Sequence, residues 1–274
     1  KQATAFSSSQ QDTDQYGMKL TLNSQLMDGW QITWGLDAEH ERFTSNQMFF
    51  DLAQASASGG LNNHKIYTTG RYPSYDITNL AAFLQSSYDI NDIFTVSGGV
   101  RYQYTENWVD DFIDYTQQQK IAAGKAISAD AIPGGSVDYD NFLFNAGLLM
   151  HITERQQAWF NFSQGVALPD PGKYYGRGIY GAAVNGHLSL TKSVNVSDSK
   201  LEGVKVDSYE LGWRFTGDNL RTQIAAYYSL SNKSVERNKD LTISVKDDRR
   251  RIYGVEGAVD YLIPDTDWST GVNF

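Results

Sequence analysis

The stretch LAAFLQSSYDINDIFTVSGGVRYQY, Leu80–Tyr104, alternates apolar and polar residues through two long segments joined only by Asp89-Ile90-Asn91-Asp92. Strict alternation places one set of side chains on each face of an extended strand. Soluble sheets favour strands of about 5 to 6 residues. Several segments here run to roughly twice that, near the 9 to 11 residues a tilted strand needs to cross a bilayer. Long alternating strands with short turns at one end and long loops at the other predict a transmembrane antiparallel β-barrel wall.

The same pattern extends outward in both directions. Tyr16, Met18, Leu20 and Leu22 share a face opposite Lys19, Thr21 and Asn23, and a turn at Met27-Asp28-Gly29 leads into Trp30, Ile32, Trp34, Leu36 and Ala38. Further on, Phe142 to Ile152 turn at Thr153-Glu154-Arg155 into Ala158, Phe160 and Phe162. Tyr209 to Phe215 then turn at Thr216-Gly217-Asp218-Asn219 into Leu220, Ile224 and Tyr228. A last hairpin carries Tyr253, Val255, Val259 and Tyr261 before Pro264-Asp265, with Trp268 opening another strand. About eleven strands result, with long external loops near 45–75, 110–138, 168–204 and 232–248. Structureless loops of that length are unusual inside a soluble domain. The polar face, with Lys19, Asp37, Arg101, Glu210, Arg214, Arg221 and Glu256, would be solvent-facing in a soluble sandwich, and alternation alone does not separate the two cases.

Composition narrows the choice of partner. Apolar residues make up 41% of 274, mean hydropathy is -0.46, and no run approaches a membrane-spanning helix. A barrel escapes that requirement because only every second residue meets lipid. Tyr, Phe and Trp number 17, 13 and 6, and Tyr and Trp suit membrane interfaces. A net charge of -9 argues against nucleic acid as a partner. No cysteine is present, so neither disulfides nor thiolate metal sites can form. Lys1–Ala5 lacks the apolar core of a secretory signal, and Val272-Asn273-Phe274 stops inside an alternating run. An excised piece of a longer protein is therefore expected.

Catalytic chemistry is sparse. Gly176-Arg177-Gly178-Ile179-Tyr180-Gly181 fits G-x-G-x-x-G, but a dinucleotide site needs a strand before it and a helix after it. His40, His64, His151 and His187 have no ligand spacing, so no metal site is expected. No serine elbow is present, although a barrel hydrolase using Ser and His on its outer face stays open. More suggestive are Arg71-Tyr72-Pro73-Ser74-Tyr75 and Lys173-Tyr174-Tyr175-Gly176-Arg177, which set cations beside phenols in long loops. Such clusters can hold an anion through bidentate Arg bonds and rigid Tyr contacts. They can equally anchor an interface, with Arg and Lys on lipopolysaccharide phosphates. Arg71, Tyr72, Tyr75, Lys173, Tyr174 and Arg177 are the candidates for ligand contact.

Ser87–Tyr102, Ala158-Trp159-Phe160-Asn161-Phe162-Ser163-Gln164-Gly165 with Leu168-Pro169, Ser208-Tyr209-Glu210-Leu211-Gly212 and Tyr253-Gly254-Val255-Glu256-Gly257 resemble, in order, the barrel domain of TonB-dependent outer-membrane receptors. Gly134–Asp140 and Pro169–Gly178 resemble members that take up ferric citrate–hydroxamate siderophores. The resemblance covers essentially the whole chain. It implies about half of a 22-stranded up-and-down barrel, with the plug, the TonB-contacting N-terminal segment and the closing strands absent. It also implies energy-coupled uptake of a ferric siderophore, with iron as cargo and no resident cofactor, and no enzyme activity. Arg101, Glu210, Arg214 and Glu256 would face the plug. A passive porin or adhesion barrel, and a soluble carbohydrate-binding sandwich, are the alternatives.

Overall fold

The short turns at 27–29, 89–92, 153–155 and 216–219 each close an antiparallel pair in the structure, a computed structural model that describes residues 5–167, 170–197, 203–239, 243–263 and 271–273. The chain begins with β1 (Phe6–Met27), β2 (Trp30–Phe50), α1 (Leu52–Ala57), β3 (Lys65–Gly70), β4 (Tyr75–Asp89) and β5 (Phe94–Val109). It continues through α2 (Tyr115–Ala122), β6 (Ser128–Ala129), β7 (Gly135–Thr153) and β8 (Gln156–Ala167). Next come α3 (Pro171–Tyr174), β9 (Gly178–Tyr180), β10 (His187–Leu188) and β11 (Leu190–Ser193). The last elements are β12 (Val204–Thr216), β13 (Leu220–Ser231), β14 (Ser234–Arg237), β15 (Ile243–Lys246), β16 (Arg250–Leu262) and β17 (Gly271–Asn273).

Eleven strands form one antiparallel sheet in the order β1-β2-β4-β5-β7-β8-β12-β13-β16-β17, with β3 added to the outer end of β2. Among the described residues β1 and β17 are its two edges, and they do not pair with each other. One hydrogen-bonded row crosses the wall through Trp30, Tyr88, Val96, Leu148, Phe160, Leu211, Ala226 and Val255. The turns below it step progressively downward from Gly29 to Asn219, which is the stagger that barrel closure requires. Trp268 and Pro264-Asp265 lie outside the described residues.

The register puts the expected apolar set on one side of the sheet. Leu20, Leu36, Leu84, Phe144, Leu211 and Val255 are all exposed, Leu211 at 62%. A continuous apolar face of this kind exceeds what water-facing surfaces tolerate and fits hydrocarbon. None of the helices among the described residues is long and apolar enough to span a membrane, so the strands do the crossing. The belt ends sharply. On the outward face Tyr16 gives way to Asp14, Ala38 to His40 and Arg42, and Phe142 to Asp140 and Asp138.

Above that level the strands carry on. β1 runs a further ten residues from Tyr16 to Phe6, or up to about 30 Å of extended chain. β2 reaches Phe50, and β3 pairs on it through Asn46↔Gly70 to Phe50↔Lys65. Thirteen of the 31 residues expected as loop at 45–75 are thus sheet. The sequence conceals this because the inward Ser45 and Phe49 are buried under neighbouring loop elements, Phe49 against Tyr67 and Tyr115, and the other face meets no hydrocarbon, so no apolar alternation is needed.

The inward face is polar and flat. Arg101 forks onto Asp37 at 2.7 and 2.8 Å, the bidentate geometry that makes guanidinium–carboxylate pairs strong. The Trp159 ring lies on Gly212, where an added Cβ would sit 2.1 Å from it, and Phe83 lies on Gly35 in the same way. Glycine lets each ring lie along the wall instead of projecting into the lumen. Trp159 Nε1 donates to Glu210, and Arg214 donates to Gln157 at 2.7 Å while its guanidinium lies over the same indole. Glu256 occupies the same inward parity on β16, paired with Ala225.

Candidate functional site

At the outer mouth Phe43 of β2, Tyr75 of β4, Val109 of β5 and Val137 of β7 stand on the inward rows. The segment after β8 folds inward and buries Tyr175, Val194 and Val196 against them. Burial of several such side chains contributes about 1.5–3 kcal/mol each, so this loop is a packed layer instead of a floppy rim. α3 starts it: Asp170 caps the helix by accepting from Gly172 N at 2.9 Å, and Pro171 takes the first position, where no amide partner is needed. Gly176 follows at φ +80, with Pro73 so close that a Cβ would meet its Cδ at 2.6 Å. α3 precedes this glycine run, β9 lies within it and no helix follows it, so the dinucleotide geometry is missing.

That packing creates a cavity of about 410 Å³ between three loops, lined by Arg71, Tyr72, Tyr115, Asp170 and Arg177 among others. Arg71 is fixed from several sides. Its amide donates to Ser45 O at 3.2 Å and its Nη1 to Gln47 Oε1 at 2.9 Å. Its guanidinium lies 5.5 Å from the Tyr72 ring centroid and 4.9 Å from that of Tyr115. Two aromatic faces hold the cation without neutralising it. Arg177 is exposed on the opposite wall, and Asp170 is the one carboxylate among these lining residues.

The six expected contact residues therefore separate. Arg71, Tyr72 and Arg177 share the cavity. Tyr75 is 7% exposed and stacks on Phe43 at 4.7 Å, so it supports the wall from behind. Tyr174 points to the other side of α3 and donates to Val235 O at 3.0 Å. The side chain of Lys173 lies outside the described residues. Tyr115, which completes the Arg71 clamp, escaped sequence reading because nothing near it in the chain marks it. Its position comes from α2, whose cap Asp114 also accepts from Gly178 N at 3.2 Å and so ties two loops together.

A second tie joins the same loops. Asp130 accepts from Leu190 N at 2.8 Å and lies 2.9 Å from His187 Nε2, while Ser128 Oγ lies 2.8 Å from His187 Nδ1. The Leu190 amide and His187 hold the Asp130 carboxyl below its ordinary value. Tyr180 also donates to Asp130 O at 2.8 Å. Among the described residues no group of three or more His, Asp or Glu side chains is placed to hold a metal ion.

Burial pushes the Tyr75 phenol up to about 12, aided by Asp170 and Glu41, and burial does the same to Tyr139 beneath the loop. Both lie beyond the apolar belt. In an unfolded chain such phenols ionise near 10. The stability they contribute is therefore complete below about pH 10 and is lost as pH rises toward about 12. A tyrosinate absorbance titration should show late-ionising phenols, the buried Tyr175 among them, and two fewer of them in Tyr75→Phe with Tyr139→Phe. Ionisation of both near pH 10 would contradict the packed layer.

The family model for "TonB dependent receptor-like, beta-barrel" matches residues 2–274. The chain is 90% identical over all 274 residues to the ferric aerobactin receptor of Klebsiella pneumoniae and 86% identical to that of Escherichia coli. It spans 37% of the length of each. Among solved structures the copper transporter OprC superposes with a TM-score of 0.62 at 13% identity, covering 94% of this chain and 37% of that one. At that identity the likeness speaks for the fold alone.

Proposed function

The chain belongs to the TonB-dependent receptor β-barrel family of the Gram-negative outer membrane, and from that premise we propose that its parent protein imports ferric aerobactin in an energy-coupled step. The observation that carries this reading is the cavity holding Arg71 between Tyr72 and Tyr115 and facing Arg177. Ferric aerobactin is a citrate–hydroxamate complex bearing carboxylates. A fixed guanidinium, a second cation and rigid phenols match that chemistry. Iron enters as cargo on its ligand, with no resident cofactor and no catalysed reaction. Residues 1–274 are read as one stretch of the barrel domain, so the cavity is one wall of a larger mouth.

In the same reading Arg101, Glu210, Arg214 and Glu256 line the lumen toward a plug, and TonB is reached through a segment upstream of this stretch. Lipid covers the apolar outward rows, and lipopolysaccharide meets the charged rows above them. Cells given the full-length receptor are expected to take up labelled iron from ferric aerobactin. Collapse of the proton gradient should stop import and leave surface binding intact. Import that persists in de-energised cells would mean a passive porin. Absence of both binding and import would mean an adhesion barrel.

A further inference from the structure

α3 separates two cavities. On the side opposite the Arg71–Arg177 site, a space of about 320 Å³ is lined by Tyr174, Ser231, Lys233, Ser234, Arg250 and Ile252 among others. Its floor is the inward face of the wall: Val206, Ser231 and Arg250 share one row, and Ser229 and Ile252 share a row two residues lower. Its roof is the β14–β15 hairpin, held to α3 by the bond from Tyr174 Oη to Val235 O. Two cations and four hydroxyls thus face apolar Val204, Val206 and Ile252 across one small space. Asp248 lies 3.6 Å from Arg250 Nε in an exposed pair, which holds a guanidinium weakly. Glu236 is engaged by Lys246.

Height distinguishes the two sites. The Ser229–Ile252 row lies one residue above Tyr228 and Tyr253, level with the rim of the apolar belt, which reaches Leu230 on β13 and Tyr253 on β16. Around the other cavity Phe43 lies three residues above His40, already in the charged zone, and Arg71 is bonded higher still at Ser45. The second cavity is therefore the one nearer the membrane.

Resting on the import reading above, we propose that the Lys233–Arg250 cavity is an inner anion site that receives the carboxylates of the same ferric ligand after the Arg71–Arg177 site releases them. Tyr174 and Tyr175, adjacent in sequence, face the inner and outer cavities respectively. The ligand then crosses a partition one short helix thick, between two cationic stations. No bond is made or broken; the step is a transfer of an anion between donor sets.

The test uses the full-length receptor in cells with ferric aerobactin as the probe. Lys233→Ala with Arg250→Ala is expected to slow iron import at saturating ligand about 10-fold, while surface affinity changes less than about 3-fold. Charge-preserving Lys233→Arg with Arg250→Lys should restore import, which a merely structural role would not predict. Normal heat-modifiable migration of both variants checks that the barrel has formed. Unchanged import in the alanine variant, or a loss that the charge-preserving variant does not repair, overturns the inner site and leaves the import reading standing. A wild-type receptor that fails to import overturns both.

Discussion

Replacing Arg71 and Arg177 together by alanine is expected to weaken equilibrium binding of ferric aerobactin to the full-length receptor by about 100-fold. Hydrogen bonds to a charged group contribute about 1.5–3 kcal/mol each, and 100-fold corresponds to about 2.7 kcal/mol. The expectation is set at the low end because Asp170 lines the same cavity and Arg177 is exposed to water. Arg71 should carry the larger share. Its position is fixed before binding by Gln47, Tyr72 and Tyr115, so little side-chain freedom remains to be lost. Arg177 should act mainly through long-range attraction, so its single variant should flatten the salt dependence of the association rate. Affinity that stays within a factor of two in the double variant would remove this cavity from the binding surface.

The second large effect tests the wall. Leu211→Arg is expected to destabilise the parent barrel in lipid by about 2–4 kcal/mol, the cost of a cation on the lipid face near the bilayer midplane. Leu211 lies midway along the outward row of β12, between Tyr209 and Trp213, and is 62% exposed. Asn161→Arg supplies the control: it sits opposite Glu210 on the inward face, where a cation stays among polar groups, so the change should cost well under half as much. Reversible denaturant unfolding in liposomes measures both. Equal costs at the two positions would mean that Leu211 does not meet hydrocarbon.

The wall was legible because its determinants are local and periodic. Tyr16, Met18, Leu20 and Leu22 alternate with Lys19, Thr21 and Asn23, and the register keeps that division. Gly29, at φ +75, marks a two-residue turn as its sequence suggests. Where the medium stops being apolar the signal stops too. Phe6–Gln15 is strand with no alternating hydrophobic face, held by its hydrogen bonds to β2, and Thr44–Phe50 is held by β1 and β3 with Ser45 and Phe49 buried beneath outer-loop elements.

The sequence by itself determined which strands cross the apolar belt, which side chains meet lipid, and that cations and phenols gather in the outer loops. Partitioning between hydrocarbon and lumen imposes a two-residue period that any reader of the chain can see. Only the tertiary structure decided that Arg71 would be clamped by Tyr115, that Tyr75 would back the wall instead of lining the cavity, and that Lys233 would meet Arg250 across α3 from it. Those meetings depend on how a loop of nearly forty residues folds back onto the mouth, and packing between segments so distant in sequence leaves no periodic trace.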